Sequence, residues 1–492
     1  MPNPYRLSKS KMLSGLQCRK RLYLEVHHPE LAETDSAAEQ RMAAGTDVGE
    51  VARNQFPGGV LVDLEDGDFA RAIQETGDLL TRRPMPPVFE GTFSHGGVLV
   101  RADVLAPGPD GLRLIEVKSS TSLKDYHLLD CGIQLWVIES AGHTVPRVEV
   151  AHIDSSFLYL GGGDYRGLFR FADVTEQARY FQDQVPGWVA DLQAALAGPM
   201  PEVEPGNQCH DPFDCPFLGH CAVPGPEYPV HCLPRGRAVA DALLAEGIED
   251  IRDIPPGRLS NPLHERVREA TVSGLVHVDP ELGDILAALP YPRYSFDFET
   301  IAFAVPIWAG TRPYQQIPFQ WSCHVEDAPG QMRHEEFLDL SGDNPSRPLL
   351  ENLLAVLGDA GPVLHYSAYE KTMLNTLRAM HPDLAPAIDR VLARLNDLLP
   401  LVREHYYHPA MKGSWSIKAV LPAVAPELDY SALEEVQDGT GAQAAYLEAI
   451  DPATSGERKN QLLRNMLEYC KMDTLAMVRV LANLSAPARV PA

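Results

Sequence analysis

Two sets of residues in this chain have the types and spacing to hold a divalent cation beside a phosphate. In VRADVL and LIEVKSS, Asp103, Glu116 and Lys118 follow the order D-x12-E-x-K. Both segments read as strands, where side chains alternate, so Glu116 and Lys118 share one face while Ile115 and Val117 take the other. Two acids converging with a lysine suit Mg²⁺ or Mn²⁺, which prefer oxygen ligands. Cation and lysine together would polarise an attacking water and stabilise charge on a phosphate. A surface ion pair on a sheet edge is the competing reading. In YSFDFET, Asp297 and Glu299 point to one face of a strand, and Phe296 and Phe298 to the other. An acid pair on a buried strand is costly unless a cation neutralises it. Near the end, LEYCKMDTLAMV sets Tyr469 and Asp473 one helical turn apart.

The cysteines form a third constellation. CHDPFDCPFLGHC gives C-x5-C-x5-C, Cys209, Cys215 and Cys221, and Cys18 stands far upstream in LQCRKRLYLE. Eight cysteines in a chain of this length are not a disulfide framework, and the crowding of three points to a metal or cluster site. All-thiolate ligation suits a [4Fe–4S] cluster and also Zn²⁺, for which His210, His220 or His231 could add a ligand. Unliganded thiols are the bland alternative. Cys131, Cys232, Cys323 and Cys470 are scattered and read as small hydrophobes.

With these motifs in hand, residues 5–225 resemble the RecB-like PD-(D/E)XK nucleases that carry an iron–sulfur cluster, including the CRISPR-associated ones. The resemblance implies that Cys18, Cys209, Cys215 and Cys221 hold a structural cluster stapling the two ends of the domain. It further implies a metal ligand on an early helix, where GTDVGEVARNQ offers Glu50 in place of a histidine. It makes Gln134 a substrate-positioning residue, matching the glutamine of a Q-x3-Y motif whose tyrosine is here Ile138; a polar helix face through Tyr126, Asp130 and Gln134 explains the spacing equally well. Residues 289–485 resemble DEDD-type exonucleases on an RNase H-like fold, in the tyrosine-bearing subclass. That resemblance implies two metals held by Asp297, Glu299, Asp473 and a fourth acid, for which HYSAYEKTMLNTL offers Glu370, with Tyr469 orienting the water. Ser367-x-x-Glu370 also reads as a capping box, and the two roles are compatible. Lys418 in GSWSIKAV is a candidate for the substrate groove. The pairing resembles a bacterial family of predicted nucleases with this two-centre layout.

The elements that must position these residues divide the chain in three. The expectation is a PD-(D/E)XK restriction-endonuclease-like domain over 1–230, a helical connector over 231–288, and an RNase H-like exonuclease domain over 289–492, an α/β protein throughout. VFEGTFS, VLVRADVLA and LRLIEVKSS read as consecutive strands separated by HGG and PGPDG turns, followed by a helix in SLKDYHLLDCGIQLWVIES. PRYSFDFETIAF and QQIPFQWSCHV read as strands, VLHYS as a strand leading into AYEKTMLNTLRAM, and Glu457 to Leu484 as a long helix. The helix–Gly–Ile–helix pattern of the connector suits simple packing or a helix-hairpin-helix element.

At 492 residues with 45% hydrophobic and 22% charged residues, the chain can fill two cores and is not wholly disordered. No run approaches a membrane span and the start has no apolar leader segment, so a cytoplasmic protein is expected. The net charge of −25 speaks against nucleic acid, yet clustered acids are what a metal-dependent nuclease needs. Locally, Arg6, Lys9, Lys11, Arg19, Lys20 and Arg21 form a run without an acid, suited to phosphate binding or to a solvated helix face. The resulting expectation is a nuclease with two phosphodiester-hydrolysing centres acting on nucleic acid, single-stranded DNA before RNA. It would work from 3′ ends at the C-terminal centre, in DNA repair or phage defence. The alternative is a catalytically degenerate nucleic-acid-binding scaffold.

Overall fold

The computed structural model describes residues 7–33, 36–64, 67–222, 224–428, 430 and 433–485. The chain is mixed α/β and divides into two compact units, Met1–Val223 with Ala302–Gln315, and Pro224–Ile301 with Gln316–Ala492. No helix among the described residues is long and apolar enough to cross a membrane.

Unit 1 is built on a seven-stranded sheet. Its strands are β1 (Leu7–Ser8), β2 (Val60–Leu61), β3 (Val88–His95), β4 (Val98–Gly108), β5 (Gly111–Lys118), β6 (Arg147–Ile153) and β7 (Phe169–Asp173). The order is β2-β3-β4-β5-β6-β7, with β1 beside β4. The meander β3–β4–β5 is antiparallel; its first turn uses Gly96 and Gly97 and its second ends at Gly111, all three at positive φ. The helix Asp125–Ser140 then crosses over so that β6 lies parallel to β5. One face of the sheet is covered by an apolar cluster including Leu7, Val100, Leu114, Ile133, Leu135 and Val148. The early chain forms two helices, Lys9–Gln17 and Arg19–His27, broken at Cys18, whose backbone is extended. The break lets the Cys18 thiol cap the second helix, accepting from the Arg21 N–H at 3.4 Å.

The segment Ala302–Gln315 departs from the expected boundary and from the strand expected to run through Phe303: the strand stops at Ile301. The reason is packing. Ala304 and Val305 are buried with Val104, Ile115 and Ile153, Tyr159 exchanges backbone hydrogen bonds with Gly310 and Thr311, and the Tyr314 hydroxyl donates to the Ser119 carbonyl.

In unit 2 the segment expected as a separate connector has no core of its own. Its helices Arg237–Ala245 and Pro262–Ser273 contribute Ala240, Leu243 and Val267 to one cluster with Val402, Tyr407, Met477 and Val480. Strand β8 (His277–Val278) pairs with β14 (Tyr406–Tyr407) in a small ribbon. The main sheet comprises β9 (Arg293–Ile301), β10 (Ile317–Ala328), β11 (Gln331–Leu338), β12 (Val363–His365) and β13 (Leu395–Asp397), in the order β11-β10-β9-β12-β13. Strands β9, β10 and β11 pair antiparallel, while β12 and β13 run parallel to β9. The strand bearing Asp297 and Glu299 is therefore central, with Phe296 and Phe298 in the core beneath it. The last helix, Gly456–Ser485, lies across β9 and β10. Polar contacts fix its register: Gln320 donates to the Met466 carbonyl at 2.8 Å, and Thr474 meets both Ser322 and His324 at 2.8 Å.

Candidate functional site

In unit 1 the sheet and one helix bring the expected acids together with two lysines. Opposed positions on β4 and β5 set Asp103 beside Glu116, and the Asp103 carboxylate accepts the Val117 N–H at 2.7 Å. Glu116, 1% exposed, accepts from Lys118 at 2.6 Å and from Lys9 at 2.8 Å on one oxygen. Its other oxygen accepts from the Gln134 amide at 2.6 Å. Asp130 accepts from Lys118 at 2.7 Å and from Gln134 at 3.2 Å, while Lys9 stands 3.5 Å away. The helix face of Asp130 and Gln134 therefore packs onto the site.

Electrostatics follow the spacing. Burial would push the Glu116 carboxyl up, but Lys118 and Lys9 hold it well below the usual range. Burial and the Glu116 charge raise Asp103 to about 7. Burial lowers both lysines, and the surrounding carboxylates more than reverse this, led by Asp130. Asp103 also borders a cavity of about 540 Å³ lined by Gly45, Gly49, Arg53, Glu90 and Arg101. Glu90 on β3, opposite Asp103, adopts φ +56°, a strained conformation for a non-glycine residue.

Glu50 is not drawn into this group. It sits on the helix Ser36–Arg53 with its side chain 65% exposed, 3.9 Å from Arg53. The helix turns Gly45 and Gly49 to the cavity and Glu50 outward. Three members of the basic run are engaged in ion pairs: Lys9 enters the acid site, Arg19 pairs with Asp191 at 3.0 Å and Arg21 with Glu25 at 2.9 Å. Arg6 lies outside the described residues.

Cys18, Cys209, Cys215 and Cys221 line one small cavity, and all four are unbridged. Gln17 closes its rim, donating to the carbonyls of Gln208 at 2.7 Å and Phe213 at 2.6 Å. Burial raises the Cys215 thiol, and the neighbouring Cys18 and Cys209 raise it further. His210 instead pairs with Asp214 at 3.0 Å.

In unit 2, Asp297 and Glu299 on β9 meet Glu370 from the helix Tyr369–Met380 and Asp473 from the last helix. Burial, then Glu370, Asp473 and Glu299, raise Asp297 well above the carboxylate range; burial and Asp473 do the same to Glu299. Asp473 is raised to about 6 by burial, against the lowering effect of a 2.6 Å hydrogen bond from Tyr430. Tyr469 also hydrogen-bonds Asp473, and burial with the nearby acids raises its hydroxyl. Lys418 Nζ lies 5.4 Å from the ring centres of both Tyr430 and Tyr469.

Glu370 shares a hydrogen bond with Asp297, while its buried Oε2 has no hydrogen-bond partner and stands 3.3 Å from His365 Nδ1. The expected capping box does not form. The helix starts one residue later than that motif requires, with Ala368 at the N-cap, and Ser367 Oγ accepts the Tyr369 N–H at 3.2 Å. Ser367 takes φ +130°, a strained turn that leaves Glu370 free to face the acids.

Among the described residues, the one group whose ligand atoms all lie within 4.8 Å of one another is Asp297, Glu299 and Cys470. Cys470, Tyr430, Lys9 and Asp130 are the site residues that motif reading missed. In the sequence Lys9 stands in a run suited to phosphate binding or a solvated face, Asp130 on a polar helix face and Cys470 among small hydrophobes, and nothing in the local pattern around Tyr430 marks it.

A protein-family model described as "Domain of unknown function (DUF2779)" matches residues 294–416. That span holds Asp297, Glu299 and Glu370 and ends before Tyr430, Tyr469 and Asp473. No curated protein and no solved structure matches the chain.

Proposed function

We propose that the chain is a metal-dependent nuclease with two phosphodiester-hydrolysing centres. The observation that carries the reading is the acid group of unit 2. Asp297, Glu299, Glu370 and Asp473 come from three separate elements and are mutually repelling and mostly buried, an arrangement that a cation would relieve. Their oxygen donors fit Mg²⁺ or Mn²⁺. When bound, such ions lower the pKa of water and offset charge on the leaving oxygen. Tyr469, hydrogen-bonded to Asp473, would orient the water, and Lys418 would meet the phosphate. A mixed sheet with the acid pair on its central strand supports the RNase H-like reading and 3′-end exonuclease action.

In unit 1, Asp103 and Glu116 would hold a cation, and Lys118 would stabilise charge on the phosphate. The antiparallel meander followed by a crossover helix supports the PD-(D/E)XK reading. Gln134, which donates to both Glu116 and Asp130, would orient those acids and through them position substrate. Four thiols lining one cavity would suit a polynuclear [4Fe–4S] cluster, with one Zn²⁺ as the alternative. Cys18, Cys209, Cys215 and Cys221 would hold it as a staple between the early helices and the end of the domain.

The outward Glu50 and the double lysine pairing of Glu116 favour a second reading for unit 1 alone, a centre that binds strands without cutting. Cleavage of 5′- and 3′-labelled single-stranded DNA and RNA with Mg²⁺ or Mn²⁺ tests both readings. Asp297→Ala is expected to abolish mononucleotide release from 3′ ends, and Lys118→Ala any remaining cuts. Binding without cleavage by the unaltered protein would overturn the enzyme reading in favour of the scaffold.

A further inference from the structure

Cys470 follows Tyr469 on the inner face of the last helix and is fully buried. Buried thiols usually fill apolar cores, as Cys323 does among Phe296, Trp321 and Leu353. Cys470 differs, because its Sγ, one Asp297 oxygen and one Glu299 oxygen all lie within 4.8 Å of one another. An independent observation points the same way. Glu370 is 3% exposed, its charge raises the Asp297 carboxyl, and its Oε2 makes no hydrogen bond although His365 Nδ1 stands 3.3 Å away. Buried acceptors of this kind cost free energy unless something electropositive meets them.

We infer that Asp297, Glu299 and Cys470 form a site for a thiophilic divalent cation of the zinc class. The inference rests on the reading of this centre as metal-binding and deepens it by naming a competing ion that would inhibit it. Oxygen-only ligands suit Mg²⁺ and Mn²⁺, whereas one thiolate moves preference toward Zn²⁺, Co²⁺ and Cd²⁺. Zinc–ligand bonds of about 2.0–2.3 Å place ligand atoms about 3–4 Å apart, so the group needs to close by about an ångström. On binding, the S–H bond breaks, the proton passes to solvent, and the sulfur pair forms the bond to the ion. Two carboxylates and one thiolate then exceed the ion's charge, and three protein ligands leave one position for water. Zn²⁺ at this site displaces the oxygen-loving ion from Asp297 and Glu299 and stops hydrolysis there.

Co²⁺ serves as the probe, added to full-length protein whose four-cysteine site is already filled. The unaltered chain should gain a near-ultraviolet thiolate-to-cobalt absorption band that Zn²⁺ removes. Cys470→Ser and Asp297→Asn should lose the band, and Cys323→Ser should keep it. Calorimetric Zn²⁺ affinity should fall by about tenfold or more in Cys470→Ser. Cys470→Ala, which keeps an apolar core position, repeats the test should the serine variant not fold. A band unchanged in both Cys470 variants, or absent from unaltered protein that binds Co²⁺ by calorimetry, overturns the site. Because the band is read without substrate, a protein that cleaves nothing would still pass or fail this test.

Discussion

Replacing Asp473 by Asn should stabilise the metal-free protein while removing the 3′-end activity proposed for it. In the folded chain the Asp473 carboxyl is raised from 3.8 to about 6 by burial, and its neighbours Asp297, Glu299 and Glu370 bring further acids. A carboxyl with a raised folded pKa is neutral in both states below pH 3.8, so it contributes no penalty there. Between about pH 4 and 6 the unfolded chain ionises first, and stability falls as pH rises. Above about pH 6 the full penalty stands, about 3 kcal/mol for a shift of about two units. Asn removes the charge but keeps an Oδ1 to accept the Tyr430 hydroxyl, now at 2.6 Å. Melting followed by circular dichroism in chelator should place the variant about 5–10 °C above the unaltered protein at pH 8. The gap should close toward pH 4.5, and Mg²⁺ should narrow it at pH 8 by stabilising only the unaltered chain. A variant that melts at or below the unaltered protein at pH 8, or a gap independent of pH, would refute the claim that uncompensated acid repulsion shapes this centre.

Three other perturbations test separate parts of the molecule. Lys9→Met removes one of two lysines from Glu116, which keeps Lys118 and Gln134, so denaturant unfolding should show a loss of about 2 kcal/mol in unit 1, below the usual cost of breaking a buried pair. If the proposed [4Fe–4S] cluster gives anaerobically purified protein a visible absorption, Cys215→Ser should abolish it and lower the melting temperature of unit 1; an intact spectrum would remove Cys215 from the ligand set. Tyr430→Phe takes away a hydrogen bond that lowers the Asp473 pKa, so the acid limb of the kcat/KM profile for 3′-end release should move to higher pH, and an unmoved limb would show that Tyr430 does not act through Asp473.

Much of both centres was legible because local geometry fixes direction. Alternation along a strand puts Glu116 beside Lys118, and Asp297 beside Glu299, whatever the rest of the chain does. Turn chemistry in HGG and PGPDG and the hydrophobic runs between them announce the meander, and the second turn, closed at Gly111, faces Asp103 with Glu116. The capping box failed for a local reason as well. Ser367 takes a strained left-handed backbone that the motif does not anticipate, and Glu370 faces the acids instead of the helix end. Glu50 failed because one step around a helix turns a side chain by about 100°, enough to exchange the cavity for solvent.

Backbone periodicity, readable in the chain, fixes which candidate side chains share a face of each strand or helix, since those relations span one to four residues. Tertiary structure decided what those residues meet. Lys9 reaches Glu116 across 107 positions, Tyr430 reaches Asp473 across 43, and Cys470 comes within 4.8 Å of Asp297 and Glu299. The same packing sent residues 302–315 to unit 1 and merged the connector helices into the core of unit 2. No period in the chain encodes such meetings. They depend on which apolar faces bury against each other, and a buried charge takes whatever partner that packing leaves within reach.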